Sequence, residues 1–261
     1  MVRRVKTALV LSFAIAASMP LVAQKRTKAH PYQLASKDAT ALKLITSMNA
    51  ACGWTTPPTS IVATGTTTYQ GNTETAKLEA IPGYLRTERP EAGSVLIVHG
   101  GMGELKTNGA AVPLSVGEAF GIAPMMFPFY SEISSALDPA VSITLGKTGQ
   151  VDGHPVQIVN LTSSAALLDG LDILRQASSQ ISVAISTDTN LPLQIDFQRW
   201  FSQEQDHVGQ VSAFLSDFRN VNGVLIPFGY SEEIEKQTTL TIQFESVDLN
   251  VPIPPSDFNL D

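Results

Sequence analysis

The residues whose types and spacing could support catalysis begin with His99-Gly100-Gly101, which follows the apolar run Val95 to Val98. A His-Gly-Gly loop at the end of a strand can supply the oxyanion-hole amides of an α/β hydrolase. That fold also needs a nucleophile in a Gly-x-Ser-x-Gly turn, and this sequence has none. We therefore interpret the motif as a glycine-rich turn that leaves a strand, and we predict no catalytic residue.

The four histidines are too far apart in sequence to form a recognisable metal motif. They are His30, His99, His154 and His207, and neither His-Glu-x-x-His nor Cys-x-x-Cys occurs. The glycine-rich loops that cradle phosphates are also missing from the sequence. The sequence therefore predicts no metal site and no cofactor, and it places His154 on the surface in an Asp-Gly-His-Pro turn.

A short acidic cluster, Glu232, Glu233 and Glu235, could supply a general acid. Glycosidases use two carboxylates that are paired in space rather than along the chain, and Trp200-Phe201 could stack on a sugar. We expect the three glutamates to be solvated at a polar hairpin tip and the aromatic pair to lie at a strand end. A secreted hydrolase acting on a glycan or an ester stays open as the weaker alternative.

The strongest functional feature is the apolar segment 122–133, which contains two prolines and is rich in methionine and aromatic residues. Such side chains adapt to variable apolar ligands, and prolines remove backbone donors that would fix the segment in place. The segment can be a lid over a ligand, or ordinary core packing of a helix against a sheet. On the first interpretation the ligand-binding residues are Ile122, Met125, Met126, Phe127, Phe129, Tyr130 and Ile133.

The N-terminus has the pattern of an export signal. Three basic residues precede the mostly apolar stretch 7–17, and Leu21-Val22-Ala23 offers a cleavage site. The stretch is shorter than the ~20 residues that cross a bilayer as a helix, and a retained N-terminal anchor is the alternative. We predict a signal peptide over 1–23, a flexible tether over 24–35 and a single domain over 36–261.

Composition narrows the range of partners. The net charge is −7, with 43% hydrophobic and 16% charged residues. An acidic chain does not suit nucleic acid, and the high apolar content predicts a large core, an apolar cavity or both. The single cysteine, Cys52, excludes an internal disulfide and is expected to be a small buried hydrophobe.

Hydrophobic periodicity predicts a few helices among many strands. Apolar residues recur at helical spacing between Ser36 and Gly53, and we also expect helices over 127–137 and 163–177. Elsewhere alternation with period two, as in 181–185, predicts antiparallel strands with one buried face.

The last forty residues predict how the sheet closes. Asn222-Gly223 lies between apolar runs and is typical of a type I′ hairpin turn. The following strand has apolar residues at even positions up to Phe244 and at odd positions from Val247. We therefore predict a bulge at Glu245-Ser246, because one extra residue must be absorbed to keep the same face buried.

The segments 217–227 and 247–252, with Phe258, resemble the C-terminal half of bacterial periplasmic lipoprotein-sorting proteins, the lipoprotein localisation factors and their relatives. The resemblance implies an α+β fold: an incompletely closed antiparallel β-barrel of about 10–11 strands wrapped around short helices. In the carriers of this family an arginine of an early strand gates the lid, and Arg86 and Arg89 are the candidates here.

The same resemblance implies a periplasmic or exported, non-enzymatic carrier or binding protein. Its apolar cavity would hold acyl chains of a lipoprotein or lipid. The implied partner is a lipidated protein or a lipid, with transient membrane contact and a monomeric state. An envelope sensor or scaffold of the same fold without transported cargo is the alternative.

Overall fold

The computed structural model describes residues 35–56, 58–69, 71–99, 102–115, 118–119, 141–163, 180–200 and 208–260. The chain divides into two units, Met1–Tyr32 and Gln33–Asp261, and the described residues belong to the second.

The first helix begins and ends at caps that the sequence encodes. Helix α1 spans Ala39–Cys52; the Asp38 side chain accepts a hydrogen bond from the amide of Ala41, and Gly53 ends the helix at φ 72°. Helical spacing and a glycine stop therefore predicted this helix to within a few residues of its start.

The described strands form one antiparallel sheet of thirteen. They are β1 Ile61–Tyr69, β2 Asn72–Ile81, β3 Tyr84–Arg89, β4 Ser94–His99, β5 Met102–Thr107, β6 Ala110–Pro113, β7 Val141–Val151, β8 His154–Ser163, β9 Gln180–Ser186, β10 Pro192–Trp200, β11 Val208–Val221, β12 Val224–Ile234 and β13 Gln237–Leu249. The edges are β6 and β7, so the sheet is not closed. Two meanders, β1–β6 and β7–β13, are joined where β1 pairs with β13.

Tight turns with positive φ at both central residues connect many of these strands. Asn222–Gly223 and Asp152–Gly153 have this geometry, which confirms the predicted hairpins. Asn108–Gly109 forms a third such turn between β5 and β6, a hairpin that the sequence analysis missed because its strands lack apolar alternation. The fold class is as predicted, with thirteen strands rather than about ten or eleven.

The last strand contains the predicted bulge. Thr64 of β1 pairs with Ser246 whereas Gly65 pairs with Phe244, so Glu245 is the extra residue. The bulge lets Val247 turn to the buried face, where it is 8% exposed, despite the change of parity.

Gly65 leaves no room for a side chain beside the bulge. An added Cβ would lie 2.1 Å from the carbonyl oxygen of Gln243 and 2.7 Å from the Cα of Phe244. Gly65→Ala is therefore expected to lower the free energy of unfolding by about 1–3 kcal/mol, because the strands must move apart. Urea denaturation measures the effect. Gly149→Ala is the control, since its nearest neighbour would be 3.7 Å away; equal stability of the two variants would contradict the close approach.

One end of the sheet divides between β12 and β13. Within the described chain their pairing runs from Ile234–Gln237 to Gly229–Gln243, and beyond that point the first residues of β12 pair with β11 alone. We call this separation the fork. At the fork, apolar residues of β12 cluster with residues of β1–β3 and β13. The buried members of this cluster are Ile61, Ala63, Leu78, Ala80, Leu85, Ile226, Phe228, Val247 and Leu249.

The fork explains how Pro227 can occupy an interior strand. Backbone groups of alternate residues in an antiparallel strand point to the same side. Leu225 directs its carbonyl away from β11, where it accepts a hydrogen bond from Trp54, so Pro227 faces the fork as well. Because proline has no N–H, the unpaired edge of β12 contains one fewer unsatisfied donor.

The chain after β13 folds back onto the face of β3 opposite Leu85. Asn250 donates its amide to the carbonyl of Ser60 at 2.9 Å, and a 3-10 helix, Pro255–Phe258, then packs on β3 and β4. Phe258 is 1% exposed, and Nη1 of Arg86 donates to the carbonyl of Asp257 at 2.9 Å. The tail is thus part of the folded core.

A capping box marks a helical turn upstream of the predicted second helix. Ser115 donates its amide to Glu118 Oε2 at 2.8 Å, Glu118 donates its amide to Ser115 Oγ at 3.2 Å, and the amide of Ala119 donates to the Ser115 carbonyl. The predicted helices over 127–137 and 163–177, the leader and most of the tether lie outside the described residues, apart from Ser163, which ends β8.

Candidate functional site

Helix α1 covers one half of the inner face of the sheet. It packs on β7, β8 and β12, and its buried side chains join an apolar cluster with inward residues of β7–β12. The fully buried members from the helix are Ala41, Ile45, Met48 and Cys52. This cluster forms the main core of the protein.

The other half of the inner face ends in an accessible apolar row. The strand registers place Ala63, Leu78, Thr87, Leu96, Leu105 and Val112 side by side across β1–β6. Exposure rises along this row from 1% at Ala63 to 56% at Val112. We call Leu96, Leu105 and Val112 the open row. It is an apolar surface at the unclosed edge.

A buried polar cluster lies on the same inner face. Nη1 and Nη2 of Arg199 donate to the two carboxylate oxygens of Glu232 at 2.8 and 2.7 Å. The hydroxyl of Tyr230 also donates to Glu232, and the Arg199 guanidinium lies 5.3 Å from the ring centre of Phe197. Glu232 is 1% exposed, so this charge-assisted network sits within the core.

The electrostatics of the cluster follow from burial and pairing. Burial alone would lower the pKa of Arg199, but the hydrogen bonds and negative charge of Glu232 outweigh it and hold that pKa above its ordinary value. Burial raises the pKa of Tyr230, and the nearby Glu232 carboxylate raises it further. The tyrosine therefore stays a neutral donor, and the cluster is an Arg⁺–Glu⁻ pair without net charge.

The expectation that Glu232 is solvated at a hairpin tip is wrong. Glu232 has the parity of Ile226, Phe228 and Tyr230 in β12, which directs it into the core. Glu235 is exposed in the connection to β13, as expected of a turn, whereas Glu233 is half-buried within β12 and pairs with Ser212 of β11. The informative signal was an acidic residue at inward parity.

The two arginines that are candidates for a lid gate pair with glutamates of β2 and β3. Nη2 of Arg86 lies 2.6 Å from Glu88 of the same strand, and Nη1 of Arg89 lies 3.1 Å from Glu74 of β2. Their gating role stays a prediction, because the predicted lid lies outside the described residues. The structure places Arg199 in the interior, and nothing in the sequence analysis singled this residue out.

The remaining sequence candidates take separate positions. His99 ends β4 and stacks on Tyr84 with ring centres 5.1 Å apart, and His154 is exposed at the start of β8. His30, His207 and all seven residues of the predicted lid lie outside the described residues. Trp200 ends β10, as expected of a strand-end aromatic. Within the described ranges no three metal-binding side chains cluster.

Cys52 is buried as predicted. It lies on the core face of α1 with no exposed surface. Burial raises the pKa of its thiol to about 12, so the thiol is protonated at neutral pH and is a poor nucleophile.

An unclosed antiparallel sheet that curves around a helix and presents an apolar inner face is the LolA-like incomplete barrel. Three solved structures share it. A domain from Vibrio parahaemolyticus named as an outer membrane lipoprotein-sorting protein has a TM-score of 0.54 at 12% identity, over 84% of this chain and 96% of that one. A DUF1329 family protein from Desulfovibrio piger gives 0.53 at 14% identity, over 84% and 96%. A LolA superfamily protein from Nitrosomonas europaea gives 0.52 at 10% identity, over 83% and 97%.

These likenesses establish the fold, in agreement with the resemblance found in the sequence. No protein-family model and no curated protein sequence matches the chain. In the described part of the chain, no helix combines the length and apolar character needed to cross a membrane.

Proposed function

We propose that the protein is an exported, non-enzymatic binding protein whose apolar interior takes acyl chains of a lipid or lipoprotein. The observation that carries the proposal is the open row, a line of apolar side chains that becomes more accessible toward the unclosed edge. A contiguous accessible apolar surface at an unclosed edge supports a site for an apolar partner.

The dimensions of the inner face suit an extended chain. Neighbouring strands are about 4.8 Å apart, so the row across β1–β6 is roughly 24 Å long. Each methylene removed from water on this surface contributes about 0.8 kcal/mol. The accessible end of the row, from Leu96 to Val112, spans three strands or roughly 10 Å, and the part of an acyl chain that lies on it gains affinity in this way.

The buried charges do not oppose such a ligand. Arg199 and Glu232 neutralise each other with two hydrogen bonds, so the interior does not present an uncompensated charge at this point. The name of the similar Vibrio domain, which refers to lipoprotein sorting, and the basic–apolar pattern of the leader support the cargo class and export to the periplasm or beyond.

The test is the uptake of a fluorescent fatty acid by delipidated protein. We expect stoichiometric binding, and Leu105→Glu is expected to weaken it at least tenfold because it places a charge in the open row. Thr73→Glu is the matched control: it adds the same charge at an exposed position of β2, and it should bind as the wild type does.

Other outcomes would favour the alternatives. If the delipidated protein binds no acyl ligand, the acyl-binding proposal fails and an envelope sensor or scaffold is favoured. Hydrolysis of model esters or glycans that one carboxylate or serine substitution abolishes would favour a secreted hydrolase. Native mass spectrometry of protein purified from its own envelope would identify the bound molecule.

A further inference from the structure

A side chain from outside the sheet reaches the unpaired edge at the fork. Trp54, which follows α1, donates its indole N–H to the carbonyl of Leu225 at 3.1 Å and is 6% exposed. In a continuous sheet a backbone amide of β13 would satisfy this carbonyl. Trp54 therefore substitutes for part of the missing ladder between β12 and β13.

The end of α1 is pressed against the same strand. A Cβ added to Gly53 would lie 2.4 Å from the carbonyl oxygen of Gly223 and 3.3 Å from the Cα of Val224. Any opening of β12 at the fork must therefore shift the helix end or break the Trp54 contact. The helix that covers half of the inner face and the fork are mechanically linked.

The fork also connects the two apolar clusters of the interior. Val224, at the start of β12, packs against the cluster under α1 and against the apolar cluster at the fork. Separation of β12 from β13 would expose a continuous apolar path between them. Within the described chain the β12–β13 pairing ends at Gly229–Gln243, so separation beyond that point would break apolar contacts rather than ladder hydrogen bonds.

We propose that the fork is a gate through which an acyl chain enters the interior, and that Trp54 is its latch. This inference rests on the proposed acyl-binding function. In the closed state the indole holds β12 against the end of α1, and in the open state β12 and β13 separate from the point where their pairing ends.

Kinetics distinguish a latch from a purely structural residue. Trp54→Phe keeps an aromatic ring and removes the donor. A latch that closes both the free and the loaded protein should then change both rates together: association and dissociation of a fluorescent fatty acid should each accelerate about fivefold, the effect of one hydrogen bond. The equilibrium Kd should stay within about twofold, since both states lose the same contact.

The matched control is Ile195→Val, which removes one methylene from the core under α1, away from the fork. It is expected to lower stability by a similar amount and to leave both rates unchanged. Stopped-flow fluorescence measures the rates in the three proteins. Unchanged rates in Trp54→Phe, with stoichiometric binding, would overturn the gate while the proposed function stands.

Hydrogen exchange tests the gate without a ligand. Trp54→Phe should increase amide exchange in the segments 224–228 and 244–249 about fivefold relative to Ile195→Val. If wild-type protein binds no acyl chain, the proposed function fails. The exchange measurement still tests whether Trp54 holds the fork closed. Equal exchange in the two variants would then show that Trp54 does not hold it closed.

Discussion

Replacement of Glu232 by alanine is expected to lower the free energy of unfolding by about 3–5 kcal/mol. The substitution leaves the guanidinium of Arg199 in the core without the carboxylate that accepts two of its hydrogen bonds. It also removes the acceptor of the Tyr230 hydroxyl. An unpaired charge in an apolar interior is far more costly than the lost attraction itself. Urea denaturation monitored by circular dichroism measures the change.

Two further variants separate the cost of an orphaned charge from the value of the ion pair. Replacing both partners with apolar residues, Arg199→Met with Glu232→Leu, is expected to cost much less than Glu232→Ala, because neither charge remains buried. Glu233→Ala, at the adjacent position facing the other side of β12, is expected to change stability by less than about 0.5 kcal/mol. A double variant as unstable as Glu232→Ala would show that the ion pair itself stabilises the fold.

Removal of the Phe258 ring is expected to cost about 3–5 kcal/mol, as large as a central core truncation. The residue lies only three positions from the C-terminus, yet it is 1% exposed and its ring centre is 5.5 Å from that of Tyr84. Phe258→Ala would leave a cavity between the 3-10 helix and β3. The same urea denaturation measures the loss.

The control for the tail is Ser256→Ala, since Ser256 is exposed within the same 3-10 helix. Its effect should stay below about 0.5 kcal/mol. Tyr84→Leu combined with Phe258→Leu would give the coupling of the two rings, which we expect at about 0.5–1.5 kcal/mol. A loss below 1 kcal/mol in Phe258→Ala would contradict the packed position of the tail.

Local signals in the sequence predicted the turns and the bulge because each follows from backbone geometry. Asn222 and Gly223 adopt positive φ, which few other residues tolerate. The bulge at Glu245 could be inferred because a change of parity has few solutions in a half-buried strand. These features depend on adjacent residues, so one sequence is enough to find them.

The polar cluster could not be predicted with the same ease because its members come from strands that are not neighbours. Arg199 and Glu232 lie on β10 and β12, on either side of β11. Their registers place the small residues Gly209 and Ala213 opposite them, which leaves space for long side chains to meet. The inward parity of each charge was visible in the sequence, whereas the pairing needed the strand order.

The fork was missed for a related reason. Pro227 in an apolar run signals an unpaired strand edge, but the sequence does not show that the edge lies in the middle of a sheet. That position follows only from the pairing of β1 with β13. The predicted lid over 122–133 stays a prediction.

The junction of the two meanders also bears on how the chain is made. Thr64 and Ser246 contact each other across 182 positions of sequence, whereas most other strands pair with their immediate neighbours. During synthesis, β1 is complete long before β13 emerges. Until then, the side of β1 that pairs with β13 is an unpaired strand edge, and such edges promote association between chains. The threonines Thr66-Thr67-Thr68 make this unpaired strand polar. The strand that joins the two meanders is therefore suited to resist association with other chains until β13 pairs with it.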